Sequence, residues 1–193
     1  DRLRLAIAYR LIALEARTRT IRIATQLSDD RIRRMYRDYF AALGGNLVRR
    51  RRGKSPRQMS YFRRSLEHEQ QTALLGSLLR RCSLIGRYPA GFRPALEAVG
   101  HFCDAYETYL GLWPGAQISF EHAWHLWQVF CRNDEFVLAT CPDCDSLWSR
   151  TLAAGSHSTS HGSLAPVTCS HRYFPPGLDG VAAGPAGSCG GPH

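Results

Sequence analysis

Cys141 and Cys144 stand on either side of a Pro-Asp pair in the stretch "FVLATCPDCDSLWSR", Phe136 to Arg150. A tight turn of this spacing lets two thiolates reach one ion, and a structural zinc site completes its tetrahedron with two further Cys or His ligands. Downstream, "TCSHRYF" offers Cys169 and His171. A second Cys-x-x-Cys would need cysteine at position 172, where Arg172 stands. Three sulfurs therefore match, and the fourth place is open among His171, His157, His161, Cys189 or no ligand. His171 is the expected choice, for one zinc per chain. A catalytic zinc keeps an open position beside an acid or base, and no His-Glu-x-x-His or His-x-Glu motif accompanies these cysteines. The expected metal is structural, worth roughly 10 to 16 kcal/mol of apparent folding free energy, and the chain is not expected to be an enzyme. The rival chemistry is thiol-disulfide exchange at Cys141 and Cys144. That chemistry wants a βαβ frame around the motif, whereas helical patterns precede this one and a Gly-rich tail follows it.

The 193 residues carry a net charge of +9, very unevenly placed. Residues 1–64 hold 18 of the 25 basic side chains against 5 acids, and the other 129 residues carry a net −4. All the basic residues but Lys54 are arginines, whose planar fork suits phosphates and guanine edges. The seven cysteines are odd in number, and Cys82, Cys103 and Cys131 sit in apolar helical patterns. Reduced thiols plus a metal site are expected, not a disulfide framework. No run approaches the ~18 apolar residues of a membrane span. With no charged-then-apolar leader at Asp1, the expected location is cytoplasmic.

Leu3, Ile7, Leu11, Leu14, Thr18, Ile21 and Thr25 fall three or four apart, as one long helix or a broken pair. Ser28 followed by Asp29 and Asp30 is an N-cap with acids in the first turn. The next helix is expected from Asp29 to about Leu43, with Ile32, Met35, Tyr36 and Phe40 inward. "GGNLVRRRRGKSPR", Gly44 to Arg57, reads as a basic loop. Further helices are expected over Ser65–Arg81, Arg93–Leu110 with Pro94 in the first turn, and Ser119–Arg132. In the middle one, Leu96, Val99, Phe102, Cys103, Tyr106 and Leu110 form a core stripe. "EFVLAT" and "SLWSR" then read as strands of a hairpin whose turn is the knuckle. The fold expected is mainly α: a helical body over 1–132 with its basic half in 1–64, a small zinc-ribbon-like module over 133–175, and a disordered tail over 176–193.

"IRIATQLSDDRIRRMYRDYF" fits helix, short turn, helix. Small Ala24 lies where two helices approach, Leu27 plugs the turn and Ser28 starts the second helix. Arg31, Arg33, Arg34 and Arg37 project from the face opposite Ile32, Met35 and Tyr36. Such a helix suits a major groove, with arginines on guanine edges and phosphates. Arg49, Arg50, Arg51 and Arg52 of the loop add contacts to phosphate.

Together these stretches resemble the FlhC family, subunits of the flagellar master transcriptional regulator of proteobacteria. The likeness rests on "ATQLSDDRIRRMYRDY", on "AYETYL" at 105–110, on "AWHLWQVF" at 123–130 and on Cys141-x-x-Cys144 after an apolar run, in collinear order over roughly residues 3–175. The resemblance implies a mostly helical protein that joins an FlhD-type partner in a hetero-oligomer and activates flagellar promoters on double-stranded DNA. It also implies zinc held by two Cys-x-x-Cys pairs, of which Cys141, Cys144 and Cys169 match three ligands. Arg172 takes the fourth place with His171 beside it, the spacer is longer, and the loop at 44–57 departs from the Pro-rich segment common in that family. Neither a membrane nor a small-molecule substrate is expected. Two other readings stand beside this one, a thiol-disulfide redox protein and a non-specific polyanion binder.

Overall fold

The apolar positions from Leu3 to Thr25 fold as the broken pair: α1 spans Arg2–Ala13 and α2 spans Thr18–Thr25. The computed structural model describes residues 1–42, 58–86, 93–132, 136–140 and 147–151. All of these belong to the first of the chain's two units, Asp1–His161 and Gly162–His193. The break after α1 is a Schellman cap. Glu15 takes a left-handed φ of 60°, its N–H donates to the Ile12 carbonyl at 3.0 Å, and the Ala16 N–H donates to the Leu11 carbonyl at 2.9 Å. Leu11 and Ala16 are both fully buried, the apolar contact that accompanies this motif.

Helix α3 spans Asp29–Ala42, and the Arg31 N–H donates to Ser28 Oγ at 3.3 Å. Ile32, Met35 and Tyr36 are buried as their spacing predicts. The Phe40 side chain and the basic loop fall outside the described residues. A 3₁₀ turn, Met59–Arg63, leads into α4, Leu66–Arg81. This helix closes on a second Schellman cap at Ser83, with φ 56° and Leu84 N–H donating to the Leu79 carbonyl at 2.9 Å. Helix α5, Leu96–Leu112, begins later than expected. Ala95, its N-cap, is extended, so Pro94 lies in the approach to the helix and not in the first turn.

Helix α6, Phe120–Arg132, faces α5 across an aromatic core. The Phe102 ring stacks on Trp127 with centroids 4.8 Å apart and meets Phe120 and Trp124 edge-on at 5.4 and 5.3 Å. Trp127 Nε1 donates to the Leu84 carbonyl at 2.8 Å, which satisfies the polar atom of a large buried ring. Of the expected stripe, Val99, Phe102, Cys103 and Tyr106 are buried, whereas Leu110 is 40% exposed and Tyr109 takes the inner position. A hydroxyl that is well bonded explains the exchange. Tyr109 donates to Gln71 Oε1 and accepts from the Ile118 N–H at 3.3 Å. Arg10 ties α1 to α5 through a two-pronged contact with Glu107, at 2.6 and 2.9 Å, and a 2.6 Å contact with Asp104.

Strands β1, Phe136–Thr140, and β2, Leu147–Thr151, pair antiparallel with Phe136 opposite Thr151 and Thr140 opposite Leu147. The described chain is mainly helical, and none of its helices is long and apolar enough to cross a membrane.

The start of α4 carries a titratable latch. His68 is buried, its Nε2 accepts from Arg64 Nε at 2.8 Å, and its Nδ1 lies 2.8 Å from Ser65 Oγ. The Tyr61 ring meets it edge-on, 5.1 Å away. Burial, then the Arg64 charge, lower the His68 pKa against a smaller opposing pull from Glu67. The unfolded chain takes up this proton near pH 6.5, where the folded chain does not. The His68 contribution is therefore complete above about pH 6.5 and is lost as pH falls from there towards the lowered folded value. The urea midpoint is expected to drop between pH 7 and 5, with a shallower drop in His68→Gln. Identical pH dependence in the two proteins would refute this role for His68.

Candidate nucleic-acid interface

The three residues between α2 and α3 make a sharp turn because Gln26 adopts a left-handed φ of 57° and its N–H donates to the Arg22 carbonyl at 2.8 Å. Thr25 Oγ1 donates to the Ile21 carbonyl at 2.7 Å and accepts from the Leu27 N–H at 3.4 Å. The side chains that hold the two helices together are Ile21, Ala24, Leu27, Ile32 and Met35, all buried. Ala24 and Leu27 thus sit at the close approach and the plug position that the sequence predicts. Tyr36 reaches back from α3 to donate its hydroxyl to the Ala16 carbonyl at 2.5 Å.

This packing turns the arginines of α3 outward. Arg31, Arg33, Arg34 and Arg37 are all exposed. They differ in their partners. Arg33 pairs with Asp30 at 3.0 Å one turn back, while Arg31, Arg34 and Arg37 make no ion pair among the described residues. The acids at the front of α3 suit the positive end of its dipole, and they also hold neighbouring arginines in place. Arg22 of α2, half exposed, meets Asp29 at 3.4 Å across the turn. Arg22 therefore extends the basic surface across the turn onto α2, where Arg19 is also exposed, an extension the reading of α3 alone leaves out. The signal was present in the arginines at 17, 19 and 22, but the periodicity did not say which of them face the same way as α3.

Arg49, Arg50, Arg51 and Arg52 lie outside the described residues, as do Cys141, Cys144, Cys169 and His171. Because Thr140 pairs with Leu147, the segment holding Cys141 and Cys144 begins and ends at adjacent points of one hairpin. Among the described residues no group of three His, Cys, Asp or Glu side chains is placed to hold a metal ion. The described cysteines are free thiols. Burial pushes Cys103 up to about 12 and Cys131 up to about 11, so both are protonated at neutral pH and serve as core residues, not as nucleophiles.

No protein-family model matches the chain, and no curated protein matches it either.

Proposed function

We propose that the chain is a DNA-binding subunit of a transcriptional activator of the FlhC type, with α3 as the helix that enters the major groove of double-stranded DNA. The observation that carries this reading is the outward row of Arg31, Arg34 and Arg37, uncommitted to ion pairs among the described residues, on the second helix of a helix-turn-helix-like pair. Arg34 and Arg37 stand on one side of α3, three residues apart, so both can face one groove, and each guanidinium can bond a guanine edge or a phosphate through its own fork. Arg33, Arg19 and Arg22 flank them, and Arg49 to Arg52 follow in sequence as further phosphate ligands. The collinear motifs supply the rest of the proposal: an FlhD-type partner, flagellar promoters as targets, and a structural zinc on Cys141, Cys144, Cys169 and His171. The hairpin register lends support to the metal site only through its borders, Thr140 and Leu147, which pair on either side of the segment that carries Cys141 and Cys144.

The direct test compares a duplex enriched by selection from a random library with an unselected duplex over a range of salt. Arg34→Ala is expected to cost about 1–3 kcal/mol on the selected duplex if the side chain reads a base, and to flatten the salt slope by about 0.9 if it lies on a phosphate. Unchanged affinity and slope would remove α3 from the interface. Equal affinity of the wild-type chain for both duplexes would favour the polyanion binder.

Zinc content tests the other half of the proposal. Elemental analysis is expected to give one zinc per chain in the wild type and none in His171→Ala. A metal-free wild type that reduces a disulfide substrate, with that activity lost in Cys141→Ser, would favour the redox reading instead.

A further inference from the structure

Helix α2 has only eight residues, no acid in its first turn, and an N-cap residue, Arg17, that makes no side-chain cap bond. The first N–H groups of a helix must find acceptors outside it. In a capping box a Glu three residues into the same helix accepts from the N-cap N–H, but that position in α2 is Thr20. The acceptor comes instead from α6. Glu121 Oε1 accepts from the Arg17 N–H at 2.8 Å, and its Oε2 lies 4.0 Å from Arg17 Nε. Glu121 is 3% exposed and stands 104 residues away along the chain. A carboxylate this deeply buried needs such partners to offset its lost hydration, and it lies at the positive end of the α2 dipole.

The peptide group that donates to Glu121 has a second partner. Its N–H belongs to Arg17 and its carbonyl to Ala16, and that carbonyl accepts the Tyr36 hydroxyl of α3 at 2.5 Å. In a trans peptide the two polar groups point in opposite directions. One rigid plane is thus held by α6 on one side and by α3 on the other.

We infer that Glu121 is a positioning residue for the α2–α3 pair: it caps α2 from α6 and, through the Ala16–Arg17 peptide, fixes the pose in which α3 presents its arginines. The consequence for DNA rests on the function proposed above, whereas the consequence for α2 does not, so the test has two arms. Both use the full-length chain and the variants Glu121→Ala and Glu121→Gln. In the first arm, amide hydrogen exchange is expected to speed up about tenfold or more at Arg17 and over Ile21–Thr25 in Glu121→Ala, with α5 amides unchanged, the size of effect that loss of a charge-assisted hydrogen bond produces. Glu121→Gln keeps an acceptor oxygen and is expected to restore most of the protection. In the second arm, the preference of Glu121→Ala for a selected over an unselected duplex is expected to fall about tenfold while its affinity for the unselected duplex holds.

Unchanged exchange at Arg17 and over Ile21–Thr25 would overturn the inference. So would an equal increase throughout α5 and α6, because Glu121 would then support the whole core and not the pose of α2. A Glu121→Ala chain that does not fold is replaced by Glu121→Asp, which keeps the charge and draws the carboxylate back by one methylene, and the same exchange pattern decides. A wild-type chain with no preference between duplexes would sink the DNA-binding proposal and leave the exchange arm to decide on Glu121.

Discussion

A helix of eight residues has little stability of its own in water, and α2 carries arginine at its N-cap and twice more within its span. Its existence depends on being clamped. Ile21 and Ala24 bury one face, Leu27 fills the turn beyond, and the peptide at Ala16–Arg17 is bonded from two sides. The outward display of α3 follows from that clamp. If α2 shifted, the buried Leu27 and Ile32 would lose their places in the core, and Arg31, Arg34 and Arg37 would point elsewhere.

The clamp is only as firm as α6, which supplies Glu121. That helix is fixed by the aromatic cluster of Phe102, Phe120, Trp124 and Trp127, and the Trp127 indole bonds to the Leu84 carbonyl beyond the end of α4. Cys131 rests against the same carbonyl at 3.5 Å. Apolar burial contributes roughly 25 cal/mol per Å², so a cluster of large rings gives a short basic helix pair a stiff base. The basic surface and the supporting core are thereby kept apart. The proposed DNA contact lies on α2 and α3, whereas Asp104 and Glu107 of α5 engage Arg10 of α1.

Spacing of apolar residues is enough to read α3, α4 and α6, most of α5, the strands flanking the cysteines and the inward face of α3, while it leaves α1 and α2 open between one helix and two. It also marked Cys103 and Cys131 as core. Misreadings arose where a tertiary bond decides the matter. The α1 break carries no glycine signal, because its left-handed cap falls on Glu15 and not on the glycine that usually marks such an end. Tyr109 displaced Leu110 because its hydroxyl finds Gln71, 38 residues earlier. Glu121 reads locally as an ordinary acid in the first turn of a helix, and its burial depends on Arg17. Of the candidate site, the four arginines of α3 are exposed as the sequence assigns them, and Arg22 joins them through its contact with Asp29. The loop arginines and the zinc ligands lie outside the described residues.

The claim at the centre is that α3 meets DNA through its outer face. Arginine footprinting with a dicarbonyl reagent, read by mass spectrometry on the full-length chain with and without selected duplex, bears on it most directly. Arg31, Arg34 and Arg37 are expected to be shielded by DNA, while Arg80 and Arg81, exposed at the far end of α4, stay reactive. Shielding spread evenly over all of these arginines, or absent from the three on α3, would contradict it.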